Sequence, residues 1–188
     1  SSQKAFLEVN KIVAQDRSHN DEFGRSVSIS GNYAVIGSPY DDEDEKGGVA
    51  LRAGSAYIFK LDDGGKWKQL KKLSAFDRMP GAEFGVSVAI SGNYLVVGAP
   101  RDHLGVNGLY YSNLAGSAYV YRLNNGTWEF MQKIIANPTA RLQYGQAFFG
   151  TAVAIDGNTI VVAAPDHTLD PTDKPESNVS SAGALFVY

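Results

Sequence analysis

The residues best suited to bind or react lie in three stretches that each follow a Gly-x-Pro or Ala-x-Pro tripeptide. The first carries Asp41, Asp42, Glu43, Asp44 and Glu45, a set that could chelate a divalent cation or meet a basic partner. Consecutive carboxylates cannot all converge on one ion, so the same run also reads as a solvated acidic loop. The second holds Asp102, His103, Tyr110, Tyr111 and Asn113. Tyrosines beside amide and carboxylate groups serve sugar stacking and protein contact, and equally ordinary loop packing. The third holds Asp166, His167, Asp170 and Asp173. An acid follows the proline within one to three residues in every stretch, as Asp41, Asp102 and Asp166. An acid repeated at a loop start is expected to accept backbone amides in a turn rather than serve as a ligand.

Catalysis finds little support. His19, His103 and His167 are the only histidines, and His103 and His167 sit at nearly equivalent places. A metal needs several converging ligands, and equivalent places on neighbouring repeats need not converge. No His-Glu-x-x-His, Gly-x-Ser-x-Gly or phosphate-binding glycine loop occurs. With no cysteine there is no thiolate nucleophile, disulfide framework or zinc–thiolate site. No catalytic residue and no metal ligand are assigned.

The elements that must carry these stretches repeat. Residues 23–39 read FGRSVSISGNYAVIGSP, residues 84–100 FGVSVAISGNYLVVGAP, and residues 149–165 FGTAVAIDGNTIVVAAP. Self-similarity at a long fixed period marks supersecondary units that bury their apolar faces only by stacking. After each Phe-Gly, apolar residues alternate with small ones, which predicts a strand with both faces crowded. Ser-Gly-Asn or Asp-Gly-Asn then predicts a tight hairpin turn. A near-continuous apolar run follows as a doubly buried strand, stopped by the proline. After the variable loops 40–53, 101–115 and 166–182 come third strands at 54–59, 116–121 and 183–188. Hairpins at Asp62 to Gly65 and Asn124 to Gly126 lead to fourth strands opening at Trp67 and Trp128. Each of these has a lysine five residues on (Lys72, Lys133) and closes on alanine (Ala75, Ala136). Phe6, Lys11 and Ala14 follow the same spacing, so residues 1–14 are expected to be an outer blade strand.

Phe-Gly, hairpin, Gly-Ala-Pro resembles the FG-GAP repeat, which builds the β-propeller heads of integrin α subunits and of many secreted or surface proteins. The resemblance covers nearly the whole chain. It implies an all-β fold, a β-propeller of four-stranded antiparallel blades, with about three blades in one unit over residues 1–188. The blade repeats are 23–83, 84–148 and 149–188. Many FG-GAP repeats carry an Asp-x-Asp-x-Asp-Gly calcium loop between the first two strands; here the place holds only SGN or DGN. So short a turn cannot supply six to eight oxygens, so no cofactor is expected. In the family the loops around Gly-Ala-Pro form the ligand-binding face.

Composition bounds the rest. At 188 residues and 44% hydrophobic the chain can bury a sizeable core. A net charge of −3 argues against nucleic acid or an anionic membrane as partner. No apolar run reaches the roughly 18 residues of a membrane span. Asn125-Gly-Thr and Asn178-Val-Ser fit the glycosylation acceptor pattern. The expectation is a non-enzymatic extracellular or cell-surface binding or adhesion module whose variable loops meet a protein or glycan ligand. The alternatives are a structural or assembly protein whose blades associate between chains, as a homo-oligomer or a piece of a larger propeller, and a carbohydrate-recognising accessory domain. Three blades are too few to close a ring that typically needs four to eight.

Overall fold

The computed structural model describes residues 7–136, 146–167 and 181–188. It is all-β among these residues, with three antiparallel sheets. Blade 1 is β1 (Ser26–Ser30), β2 (Tyr33–Ser38), β3 (Ser55–Leu61) and β4 (Trp67–Leu73), paired in chain order. Blade 2 repeats this with β5 (Ser87–Ser91), β6 (Tyr94–Ala99), β7 (Ser117–Asn124) and β8 (Thr127–Ile134). Blade 3 contains β9 (Ala152–Asp156), β10 (Thr159–Ala164) and β11 (Ala184–Val187).

The turn chemistry sets the register. Ser30 pairs with Tyr33, leaving Gly31 and Asn32 as a two-residue loop. Gly31 has φ +58°, the left-handed first position that glycine supplies without steric cost. Asn125 and Gly126 connect β7 to β8 with φ +47° and +82°, as a type I′ turn requires. Both outer hairpins carry an irregularity at the same place, between Ile58 and Phe59 and between Val120 and Tyr121.

The cores lie between blades. We call the face of a blade that meets its predecessor the leading face, and the opposite one the trailing face. Val35, Ala56 and Ile58 on the trailing face of blade 1 pack with Val88, Ile90 and Val97 on the leading face of blade 2. Val96, Ala118 and Val120 meet Phe149, Ile160 and Val162 in the same way. Burying these aliphatic groups, at roughly 25 cal/mol per Å², is the main force joining the blades.

Residues 7–14 correct one expectation: they enter no ladder. A strand needs a neighbouring edge, and no described third strand lies beside them. Ala14 is nonetheless buried with Ile36, Tyr57 and Phe59 on the leading face of blade 1. Ala75 and Ala136 close the same kind of cluster ahead of blades 2 and 3.

Candidate functional site

The ends of β2 and β6 and the starts of β3 and β7 lie at one end of their blades, with the variable loops between them. Beneath each of the first two loops is a buried polar knot. In blade 2, Asp102 Oδ1 accepts the Leu104 amide at 2.8 Å. Its Oδ2 accepts Ser117 Oγ at 2.6 Å and Tyr119 OH at 2.8 Å, and pairs with Lys133 Nζ at 2.7 Å. Lys133 also meets Asp77 Oδ2 at 2.6 Å, and Tyr119 OH lies 2.7 Å from Asp77 Oδ1. The Tyr119 hydroxyl has one hydrogen to give, so it serves the two carboxylates by turns. Lys133, 1% exposed, lies over the Tyr119 ring at 5.0 Å.

Blade 1 has the same parts. Asp41 Oδ1 accepts the Glu43 amide, and its Oδ2 accepts Tyr57 OH at 2.6 Å and pairs with Lys72 at 2.7 Å. Lys72 also pairs with Asp16 at 2.7 Å. Burial works against the charge on Lys72, but its bonds to Asp16 and Asp41 prevail and hold its pKa above the ordinary lysine value. Partial burial likewise opposes the charge on Asp16, yet the hydrogen bond and charge of Lys72 hold it below the usual carboxylate range. Burial, then the Asp41 carboxylate, pushes the Tyr57 phenol far up; burial and the Asp102 and Asp77 charges do the same to Tyr119. Both tyrosines therefore stay neutral donors. Asp16 and Asp77 each come from the segment leading into the blade, so each knot ties that segment to the blade it enters.

Blade 3 occupies the matching positions differently. The amides of Asp41, Asp102 and His167 donate to the equivalent carbonyls of Ser38, Ala99 and Ala164. Their carbonyls accept the equivalent amides of Gly54, Gly116 and Gly183. His167, not Asp166, is therefore the counterpart of Asp41 and Asp102, which corrects the pairing expected from proximity to the proline. It also separates His167 from His103, which sits one place further along. His167 is buried, with its ring edge-on to Phe186 at 5.3 Å. Phe186 stands where Tyr57 and Tyr119 stand, opposite Val162 of the middle strand. In all three blades that aromatic meets the Phe of Phe-Gly edge-on, at 5.4, 5.2 and 5.3 Å.

The structure thus sorts the candidate residues. Asp41 and Asp102 are buried and taken up by intramolecular partners, which removes them from any ligand reaching the surface. Asp42 accepts the Arg52 amide, and Asp44 accepts those of Lys46 and Gly48. The two amides on Asp44, Gly48 foremost, hold its carboxyl below the ordinary range. The acidic run is a set of turn-forming groups more than a cage. Each loop then folds into a small hairpin, through the isolated bridges Glu43–Val49 and Leu104–Tyr110. Tyr110 is 71% exposed beside His103, with ring centroids 6.4 Å apart, and Asn113 is exposed. Tyr111 is partly buried, which raises its phenol pKa. Val49, Leu51 and Leu109 are exposed as well. Arg78 donates to the Gly48 carbonyl at 2.8 Å, so the segment entering blade 2 clasps the loop of blade 1. A cleft of about 350 Å³ opens beside them, lined by Glu45, Lys46, Lys71, Phe76 and Phe130 among others. Asn125 is exposed at its turn; Asp170, Asp173 and Asn178 lie outside the described residues.

Lys72, Lys133, Asp16 and Asp77 escaped notice as site residues. The signal was the lysine spacing together with the repeat Ala-x-Asp-Arg at 14–17 and 75–78.

Antiparallel blades stacked face to face, with loops gathered at one end, define a protein built of propeller-type blades. The FG-GAP repeat model matches residues 6–59, 67–121 and 128–188, and the chain belongs to that family. Each matched segment runs through a third strand, so the family unit is phased across the blade boundary, as the knots are. A search of curated proteins gives no match. Among the described residues no helix is long and apolar enough to cross a membrane.

Proposed function

We propose that this chain is a non-enzymatic binding module of the cell surface or extracellular space. It presents the hairpin loops after β2 and β6 to a protein or glycan partner. The observation that carries this reading is the contrast within each loop. Its base is pinned by a buried Asp–Tyr–Lys knot, while the loop beyond that base offers apolar and aromatic side chains to solvent: Val49 and Leu51 in one, Leu109 and Tyr110 in the other. A rigid base lowers the entropy lost on binding, and exposed tyrosines supply contact area at little conformational cost. The adjoining cleft adds Phe76 and Phe130 within reach of Lys46, Lys71 and Glu45. The exposed acceptor triplet at Asn125 suits a secretory route.

This reading places no calcium at the turns between the first two strands, which have two residues each and lack room for a cation's oxygens. The test is a glycan array and a panel of immobilised extracellular-matrix proteins, probed with labelled chain with and without EDTA. A captured signal that persists in EDTA and falls at least about tenfold in a Leu109→Ser/Tyr110→Ala variant supports the reading. A signal indifferent to those side chains, or lost in EDTA, overturns it. The tyrosine–histidine pair favours a glycan as the second class of ligand, which the array separates from protein.

A further inference from the structure

The two interfaces between neighbouring blades share a plug and a socket. Ser26 Oγ donates to the Gly85 carbonyl at 2.8 Å, and Ser87 Oγ donates to the Gly150 carbonyl at 2.8 Å. Each carbonyl sits where a side chain on the middle strand of the preceding blade would start. A Cβ on Gly37 would lie 1.9 Å from Gly85 O, and one on Gly98 would lie 2.0 Å from Gly150 O. The socket is thus a glycine and a serine on the trailing face, and the plug is the carbonyl of the next Phe-Gly. Ala56 and Ala118, fully buried, complete the trailing faces.

Blade 1 carries a whole plug with nothing in it. Gly24 has φ +99°, against +95° for Gly85 and Gly150, and among the described residues no atom stands within 4 Å of where its Cβ would be. Beside it Val27 and Ile29 are 68% and 64% exposed, while their counterparts Val88 and Ile90 are buried. Blade 3 carries a spoiled socket. Ala163 holds the glycine position, as its carbonyl accepts Gly150 N where Gly37 and Gly98 accept Gly24 N and Gly85 N. Its partner across the ladder is Ala152, where Gly37 and Gly98 face Ser26 and Ser87. Leu185, 70% exposed, replaces the small Ala56 and Ala118. One change fills the hole, one removes the donor and one adds bulk where the others leave none.

We propose that the leading face of blade 1 is a docking surface for an FG-GAP blade outside residues 1–188 that bears glycine and serine at the socket positions. The trailing face of blade 3 refuses a plug, so copies of this chain do not join head to tail. Continuity with the two filled interfaces identifies the occupant, because the empty plug matches both filled ones in backbone and in apolar neighbours. The proposal does not depend on what the loops bind.

The probe is the chain itself with its socket repaired by Ala152→Ser/Ala163→Gly/Leu185→Ala and its own plug blocked by Ile29→Asp. These positions are exposed or partly exposed, and circular dichroism checks that the fold persists. Mixed with wild type at micromolar concentrations in sedimentation velocity, the probe should give a 1:1 complex of twice the monomer mass. The complex should be at least about tenfold tighter than that formed by the Ile29→Asp chain with its native socket. It should vanish when the wild-type partner also carries Ile29→Asp. Ala163→Gly alone, the gentlest change, should restore part of the gain. No complex with the folded probe, equal binding by the native socket, or Ile29-dependent self-association of wild type would each overturn the proposal.

Discussion

Blades 1 and 2 close their loop ends with the same buried charges, and blade 3 closes its end with a histidine against a phenylalanine. The replacements move together. Asp41 and Asp102 become His167, Ser55 and Ser117 become Ala184, and Tyr57 and Tyr119 become Phe186. Physical chemistry explains why the acid and the phenol change together. A buried carboxylate is tolerable only with its cation and donors in place, and a half-satisfied network is worse than an apolar one. The comparison also shows one position in two settings: in blades 1 and 2 it anchors a loop and ties in the preceding segment, and in blade 3 it sets an imidazole edge-on to Phe186.

The largest effect should come from taking one member out of the better-buried knot. Lys133→Met leaves Asp77 and Asp102, 5% and 1% exposed, as like charges without a cation. The expected loss is about 3–5 kcal/mol, read from the urea midpoint. Adding Asp77→Asn, Asp102→His and Tyr119→Phe moves blade 2 toward the composition of blade 3 and should recover most of it. If the combined variant is no more stable than the single one, the idea that the knot is exchanged as a unit fails. Lys72→Met should cost less, because the Asp16 side chain is 37% exposed and water can solvate what the lysine leaves.

Next come the sockets. Gly98→Ala places a Cβ 2.0 Å from the Gly150 carbonyl and forces blades 2 and 3 apart. A loss of about 1–3 kcal/mol is expected in thermal melts. The reciprocal Ala163→Gly should cost about 0.5–1 kcal/mol, the backbone entropy of glycine in a strand. Equal losses at the two positions would erase the distinction between a filled socket and a closed one.

Much of this was legible in the sequence, for a reason that also marks its limit. Strands and turns follow from local patterns: alternation after Phe-Gly, glycine at the hairpin, proline after the apolar run. The turn role of the acid after the proline was equally local, and Asp41 and Asp102 do accept the amides two residues on. What those acids do with their second oxygen was not legible, because Tyr119 and Lys133 reach Asp102 only once the sheet has brought three strands and the preceding segment together. The misplacement of Asp166 has a different origin, because His167 lies two past Pro165 just as Asp41 lies two past Pro39 and Asp102 two past Pro100, so spacing alone marked the place. Its charge made it look like the counterpart of Asp41, while the backbone hydrogen bonds assign that place to His167. Residues 7–14 kept the outer-strand spacing but not the ladder, since spacing does not supply a partner edge.

A smaller effect sharpens the comparison by pH. The Asp16 carboxyl is held below its ordinary value of 3.8, so its contribution to folding is present above that value and lost as pH falls through the lower folded value. The urea-midpoint gap between wild type and Asp16→Asn should therefore be open at pH 6 and close as the pH is taken below 3.8. Its size at pH 6 should be about 0–1 kcal/mol, because solvent screens the partly exposed pair. A gap that does not change with pH would mean that Asp16 acts through packing alone.

The smallest effect on stability is expected where function is proposed. Tyr110 and Tyr119 belong to the same blade, one in the loop beyond the anchored base and one in the knot beneath. Tyr119→Phe removes a donor shared by two buried carboxylates and should cost about 1–3 kcal/mol. Tyr110→Ala deletes a larger group, but one 71% exposed whose ring lies beside His103. Its melting curve should match wild type to within about 0.5 kcal/mol. Its capture on the array or matrix panel should fall. If Tyr110→Ala instead destabilises as much as Tyr119→Phe, the loop beyond the base is part of the packed blade, and the contrast between anchored base and free loop no longer holds.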